Sequence, residues 1–101
     1  MTKIKALSEL EVAKRYTNKA NSSSTRGIPM TISFEEFAKV CRTPKCYYTK
    51  VTLNDVQGDP NQHTVDRIDN DQGYVSGNVV ACSYAFNQIK GDLSVLEINQ
   101  L

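Results

Sequence analysis

The C-terminal half of the chain carries side chains that together can hold a metal ion and a phosphate group. Asp66 lies in a run rich in β-branched residues, and Asn87 and Lys90 follow in a segment of helical character. Mg²⁺ takes oxygen ligands and keeps several waters, so one carboxylate and one amide carbonyl, completed by a phosphate, are sufficient. Asp66 and Asn87 are therefore candidate ligands for Mg²⁺ or Mn²⁺, and the ammonium of Lys90 can face the phosphate.

Two strands and a helix are predicted to position these groups. HTVDRI (63–68) is rich in β-branched residues and predicts a strand, and NVVAC (78–82) predicts a second. SYAFNQIK (83–90) predicts a helix that packs an apolar face containing Ile89 on the strands and turns its polar face back over them. The connection 69–77 is long for a hairpin, and the side chain of Asn78 can hydrogen-bond to its backbone.

The N-terminal half is predicted to form two short helices. The capping-box patterns S-x-x-E at Ser8 and Ser33 predict helices over about 8–20 and 34–42. NSSSTRGIP (21–29) between them predicts a flexible connection, and CYYTKVTL (46–53) predicts two short strand pieces around a turn. A chain of 101 residues of this kind predicts a small single domain of the α+β class.

The stretch VDRIDNDQGYVSGNVVACSYAFNQIKGD (65–92) resembles the HNH endonucleases, also called ββα-metal or His-Me finger nucleases. It is most similar to the small HNH proteins of bacteriophages, whose core often runs D-R-I-D-N-x-x-G-Y-x-x-x-N before a helix with N-x-x-K. The lead-in RGIPMTISFEEF extends the resemblance upstream to about residue 26.

This resemblance implies a ββα-metal motif at about 63–91 inside an HNH nuclease domain of residues 26–101, after a basic helical segment of residues 1–25. It implies that Asp66 and Asn87 bind Mg²⁺ or Mn²⁺, that Asn78 is structural, and that Lys90 contacts the DNA backbone or the scissile phosphate. The implied activity is metal-dependent hydrolysis of DNA phosphodiester bonds, by nicking or double-strand cutting, in a phage-encoded protein.

Arg67 departs from the family pattern, because the residue after the aspartate is commonly the histidine that activates water. A guanidinium stays charged at working pH, so Arg67 can clamp a phosphate but cannot act as a general base. Some HNH-type restriction enzymes resemble this Asp-Arg arrangement and place a tyrosine beside the metal, which Tyr48 or Tyr47 can supply here. His63 is the other candidate base, and direct attack by metal-bound water is a further alternative.

The cysteines also depart from the family, in which two C-x-x-C pairs often bind a structural zinc. The first pair is reduced to Cys46 and Thr49, and the second would fall on Ser83 and Phe86. A site of Cys41, Cys46 and Cys82 with His63 is conceivable at zinc spacing. We instead expect the cysteines to fill an apolar core without structural zinc.

The charge is divided unevenly along the chain and suggests a polyanionic partner. Residues 1–50 carry ten Lys/Arg and four Asp/Glu, a net charge of +6, whereas residues 51–101 carry two and seven, a net charge of −5. Since the motif half is acidic, phosphate contacts should come from the basic half. The resemblance and this charge predict double-stranded DNA as the partner, with contacts from Arg42, Lys45, Lys50 and Lys90.

The N-terminus lacks the apolar stretch of a secretory signal, and no apolar run approaches the length of about 18 residues expected of a membrane span. These features predict a cytoplasmic protein without membrane contact, in the host cell if phage-encoded. The alternative function is a catalytically inactive DNA-binding or inhibitory protein on an HNH fold. The missing histidine and zinc cysteines favour it, and it is disfavoured by the retained Asp66, Asn78, Asn87 and Lys90.

Overall fold

A computed structural model of the protein describes residues 7–90, and it contains three helices and a two-stranded antiparallel sheet. The elements follow the order α1 (Glu9–Thr25), α2 (Phe34–Cys41), β1 (His63–Arg67), β2 (Val79–Ser83) and α3 (Tyr84–Lys90). The predicted α+β class, with two helices before a strand–strand–helix unit, is confirmed. No helix in this range is long and apolar enough to cross a membrane.

The first helix begins as predicted and ends later than predicted. The side chain of Ser8 accepts a hydrogen bond from the backbone N–H of Glu11, which satisfies one of the free donors at the helix start. The helix continues to Thr25, and near its end the hydroxyl of the buried Ser23 donates to the carbonyls of Lys19 and Ala20. The serine-rich stretch predicted to be a flexible connection is therefore mostly the last turns of α1.

The second capping box is used in an unexpected way. Ser33 accepts from the backbone N–H of Glu36, as the pattern predicts. The Glu36 carboxylate does not return to the helix start. It accepts instead from the Ser76 hydroxyl at 2.7 Å and the Gly77 backbone N–H at 2.9 Å, which fastens the β1–β2 connection to α2.

The hairpin is in a register that pairs His63 with Ser83 and Arg67 with Val79. The connection between its strands is held by Asn78, which is buried. Its Oδ1 accepts from the Asp69 N–H, and its Nδ2 donates to the carbonyls of Asp69 and Gly73. Gly73 cannot be replaced by a larger residue without a shift of the backbone, because an added Cβ would collide with the backbone of Pro29.

The segment before the hairpin is less regular than predicted. Residues 46–53 do not form two strand pieces; one isolated bridge joins Lys45 to Thr52 around a tight turn. Lys50 adopts a left-handed φ of 65° in this turn, and the Tyr47 N–H donates to the Ala81 carbonyl of β2. The local β propensity was not sufficient because the turn is tied to β2 and lacks a partner strand of its own.

The core joins all three helices to the hairpin, and α1 is part of it. The apolar side chains that are buried from both halves are Leu7, Val12, Ile32, Phe37, Ala38, Val40, Cys41, Cys46, Leu53, Tyr74, Val79, Ala81 and Cys82. Tyr16 of α1 packs edge-on against Phe37 at 5.2 Å between ring centroids, and its hydroxyl donates to the Ile32 carbonyl. The segment predicted as a separate N-terminal helix is therefore packed on α2 from its first described turns.

The third helix buries a different side from the one predicted. Cys82 belongs to β2, so α3 starts at Tyr84, and Ile89 is 54% exposed while Lys90 is buried. The prediction that Ile89 packs on the strands is wrong. The buried side of α3 instead carries Lys90, whose ammonium pairs with Asp66 and donates to the Arg67 carbonyl of β1.

Candidate active site

A polar cleft lies between α1 and the strand–strand–helix unit and contains the predicted metal ligands. It has a volume of about 350 Å³. Strand β1 contributes Val65, Asp66 and Arg67 to its lining. The side chains that line it are Lys19, Arg26, Val65, Asp66, Arg67, Asn70, Tyr74, Asn87 and Lys90. Within residues 7–90, Asp66 is the one carboxylate in this lining, so the cleft is strongly cationic.

Asp66 and Lys90 form a buried ion pair at the bottom of the cleft. The Nζ of Lys90 lies 3.2 Å from Oδ2 of Asp66, and the two side chains are 2% and 9% exposed. Nζ also donates to the Arg67 carbonyl and, at 3.1 Å, to Oδ1 of Asn70. A buried ammonium is tolerated when a carboxylate and further acceptors surround it, and Lys90 meets that condition.

Tyr48 completes the surroundings of Asp66. Its hydroxyl donates to Oδ2 of Asp66 at 2.8 Å, and its ring stacks on Phe86 of α3 at 4.7 Å between centroids. Burial, together with the hydrogen bond to Asp66, strongly raises the pKa of the Tyr48 hydroxyl. Tyr48 therefore lies beside the predicted metal ligand, as expected of a tyrosine from the earlier segment, but it acts as a hydrogen-bond donor and is unsuited to accept a proton.

The upper wall of the cleft consists of cations arranged around Tyr74. The Nζ of Lys19 lies 5.3 Å and the guanidinium carbon of Arg67 5.4 Å from the centroid of the Tyr74 ring. Arg67 also donates to the carbonyls of Asn70 and Gln72, which fixes its guanidinium at the end of β1. With Arg26, these groups form a site suited to an anion such as a phosphodiester.

Asp66 and Asn87 both line the cleft and carry the oxygen donors that would hold a hard divalent cation. Asn87 donates its Nδ2 to the Thr64 hydroxyl at 3.1 Å, which leaves its Oδ1 as the acceptor available to the cleft. Two protein oxygens completed by water and phosphate suit Mg²⁺. No group of three or more His, Cys, Asp or Glu side chains within residues 7–90 is placed to hold a metal ion. The Lys90 ammonium already balances the charge of Asp66, so a bound cation would share that carboxylate with it.

His63 lies at the edge of the neighbouring pocket, and both of its ring nitrogens are buried. The ring is 6% exposed, Nε2 lies 3.1 Å from the Val40 carbonyl at the end of α2, and Nδ1 is enclosed without a hydrogen-bond partner among residues 7–90. Burial lowers the pKa of His63, so the neutral ring is favoured. His63 therefore packs against α2 and does not contact Asp66, although three residues separate them on the same strand.

The three other predicted DNA contacts do not line this cleft. The guanidinium of Arg42 donates twice to the Leu7 carbonyl. Lys45 and Lys50 line a separate depression of about 310 Å³ beside β2, and Lys50 donates to the Tyr47 carbonyl at 2.6 Å. Their predicted role as DNA contacts would require a surface distinct from the cleft.

The cysteines are all buried and free. Although burial raises it, hydrogen bonds from the side chain and backbone of Thr49 lower the pKa of the Cys46 thiol to about 7. Burial raises the pKa of Cys82, and the neighbouring Cys46 contributes to this rise. The thiols thus lie in the core that the sequence predicts for them, where the buried Cys46 is held by the tight turn.

The cations at the N-terminal side of the cleft were not predicted from the sequence to be site residues. Lys19 and Arg26 belonged to a general basic surface, and nothing near the motif linked them to Asp66. Their spacing gives a signal, because Arg15, Lys19 and Arg26 recur at intervals of four and seven residues and so share one face of a helix. That face is the one that borders the cleft.

Comparisons with protein-family models, with curated proteins and with solved structures find no match for this chain. The function therefore has to be argued from the chemistry of the cleft.

Proposed function

We propose that the protein is a metal-dependent endonuclease of the HNH type that hydrolyses phosphodiester bonds in DNA. One observation supports this proposal most strongly. Asp66 of β1 and Asn87 of α3, which both carry oxygen donors, line one cleft whose walls are cationic. A carboxylate and an amide carbonyl suit a divalent cation, and the guanidinium and ammonium groups above them suit the phosphate. The sequence resemblance assigns the same two residues to metal binding.

The side chains divide the work of holding the reacting phosphate. Arg67, fixed by two loop carbonyls, and Lys19 from α1 bind its non-bridging oxygens and stabilise the charge that increases in the transition state. Asp66 and Asn87 would hold the divalent cation, which would supply Lewis-acid stabilisation of the leaving oxygen. Tyr48 and Lys90 keep the Asp66 carboxylate in one orientation.

The candidate bases are poorly placed to take a proton from water. Arg67 stays charged, Tyr48 donates to Asp66, and the nitrogens of His63 are directed at the end of α2 or enclosed. Of the alternatives left open by the sequence, attack by a water that needs no side-chain base agrees best with this geometry. The expected rate is accordingly modest, since general-base catalysis contributes about 10²–10⁴-fold in enzymes that use it.

A second candidate function is DNA binding or inhibition without cleavage. The observation that favours it is the buried Lys90 ammonium, which already neutralises Asp66 at 3.2 Å and so weakens the need for a metal ion. In that case Lys19, Arg26 and Arg67 would still bind a backbone phosphate.

Incubation of the purified protein with supercoiled plasmid and Mg²⁺ or Mn²⁺ separates the two functions. The nuclease reading predicts nicking that EDTA abolishes and that Asp66→Ala and Asn87→Ala each reduce by about 100-fold or more, because each removes a cation ligand. Asp71→Ala is a matched control, since Asp71 is an exposed carboxylate in the 69–77 connection that follows β1. Wild type that nicks no faster than Asp66→Ala, yet shifts DNA in a gel without metal, would support the binding function instead.

A further inference from the structure

A second pocket continues the cleft along α1, and its lining includes the exposed aromatic ring of Tyr84. It has a volume of about 510 Å³ and shares Lys19, Val65 and Asn87 with the cleft, so the two form one groove. Both volumes are within the range of about 300–1,000 Å³ that holds a small-molecule ligand. Each half of the groove can therefore accept a group of about that size.

One wall of the groove is a cationic stripe on α1. Arg15 and Lys19 follow one another along the helix face that borders the two pockets, and Arg26, the C-cap residue directly after Thr25, continues this row. From Arg15 to Arg26 the helix axis rises about 16 Å, which exceeds one phosphate spacing of an extended strand. Arg15 has one weak partner, Asp55 at 3.9 Å, with both side chains largely exposed, so its guanidinium can exchange this contact for a phosphate.

The opposite wall offers an aromatic face and amide groups. Tyr84, at the start of α3, is 40% exposed and lines the second pocket together with the side-chain amide of Gln88, and Asn18 of α1 adds a second amide. Proteins that bind unpaired nucleic acid combine a cationic groove along the backbone with aromatic side chains on which bases stack. Amides can in turn hydrogen-bond to the edges of unpaired bases.

We propose that this second pocket is a nucleoside subsite, so that the groove takes an unpaired nucleic-acid strand with one base stacked on Tyr84 and the adjoining phosphate beside Asp66. This inference rests on the proposed function for the identity of that phosphate. Paired bases are stacked in their own duplex and cannot present a face to Tyr84, so the substrate is a single-stranded, frayed or flipped segment. The double-stranded DNA predicted from the sequence would therefore be bound only where its bases are unpaired.

Binding of a fluorescent oligothymidylate, measured by anisotropy in EDTA, tests the subsite without any cleavage. Wild type should bind the single strand more tightly than a duplex of the same length. Tyr84→Ala should weaken the single-strand complex by about tenfold, whereas Tyr84→Phe should keep it, because the ring is what stacks. Tyr47→Ala is the matched control, since Tyr47 is 48% exposed and lies near Lys50 but outside the groove.

The contribution of the cationic stripe is tested by a variant inside the groove and a control variant outside it. Arg15→Gln should weaken binding and reduce the salt dependence by about one phosphate contact. Lys14→Gln should change neither, because Lys14 is exposed on α1 and does not line the groove. Repeating the titration with oligouridylate distinguishes DNA from RNA, and either result supports an unpaired strand.

Equal affinity of wild type and Tyr84→Ala for the single strand, or equal losses for single strand and duplex, would overturn the subsite. These outcomes are separable from failure of the proposed function. Tyr84-dependent binding without metal-dependent cleavage would retain the subsite and reject the nuclease. Metal-dependent nicking that Asp66→Ala abolishes and Tyr84→Ala leaves unchanged would retain the nuclease and reject the subsite.

Discussion

Asp66 and His63 lie on the same short strand and are buried to nearly the same extent, yet their surroundings differ. Asp66 meets the Tyr48 hydroxyl and the Lys90 ammonium, with cations of α1 above them. His63 meets one carbonyl at the end of α2 and leaves its other nitrogen without a partner among residues 7–90. The first is a charged group in an ionic network, and the second is a neutral ring in the core.

The difference shows that residue type and spacing are insufficient to assign a catalytic histidine. Both residues are ionisable and both come from the same predicted strand. What separates them is the partner that the fold brings to each, α3 for Asp66 and α2 for His63. The chemistry of this protein is therefore expected at the Asp66 end of β1, and variants at the two ends should behave differently.

The largest effect on stability should come from breaking the Asp66–Lys90 pair. Asp66→Asn and Lys90→Met should each lower the free energy of unfolding by about 3–5 kcal/mol, because each leaves a buried charge without its partner. The free energy of unfolding of the double variant should fall by much less than the sum of the two single losses. Urea denaturation of the four proteins gives the coupling energy directly.

Lys50→Met is the control for this cycle, because Lys50 is an exposed lysine of the tight turn. It should change the free energy of unfolding by no more than about 0.5 kcal/mol. Additive losses from Asp66→Asn and Lys90→Met would show that the two side chains do not interact as described.

A smaller effect is expected from Tyr48→Phe, which removes one hydrogen bond to a charged group and keeps the stack on Phe86. The expected loss is about 1.5–3 kcal/mol. Tyr47→Phe should be nearly neutral, since the Tyr47 ring is exposed and its hydroxyl does not contact Asp66. Thermal denaturation of both variants checks the prediction, and equal melting temperatures would contradict the assigned hydrogen bond.

The smallest effect should arise at His63 and should depend on pH. Burial lowers the pKa of His63 below its ordinary value of 6.5, so the unfolded chain binds this proton more readily than the folded one. The contribution of His63 to stability should be constant above neutral pH and should fall as the pH drops through about 6.5 towards the lower folded-state pKa.

His63→Gln should cost about 1 kcal/mol at pH 8 and should remove this loss between neutral pH and pH 5. Glu36 and Asp59, whose pKa values are lowered by hydrogen bonds, titrate below their ordinary values of 4.5 and 3.8 and so act in a separate range. A wild-type stability that is unchanged from pH 8 to pH 5 would contradict a buried neutral His63.

The sequence predicted the parts of the molecule that depend on local pattern. The capping serines, the two strands and the helix after them follow from neighbouring residues. The strand–strand–helix order brings Asp66 and Asn87 into one cleft, because a hairpin and its following helix can pack only in a few ways.

Features that depend on long-range contacts could not be predicted in the same way. Periodicity assigned Ile89 to the buried face of α3, but that face carries Lys90, which pairs with Asp66, and Ile89 is exposed. Lys19 and Arg26 are separated from the motif by about forty residues, so no local pattern could link them to the cleft. The position of the His63 ring depends on the last turn of α2, where Val40 lies 23 residues earlier in the sequence.

The proposed site of DNA hydrolysis is the Asp66 end of β1, and not the His63 end. This proposal is tested most directly by the rates at which Asp66→Asn and His63→Gln nick supercoiled plasmid with Mn²⁺, each measured with the protein confirmed to be folded. We expect Asp66→Asn to lose about 100-fold or more and His63→Gln to remain within about threefold of wild type, well short of the loss expected for a general base. A His63→Gln rate as low as that of Asp66→Asn would contradict this account.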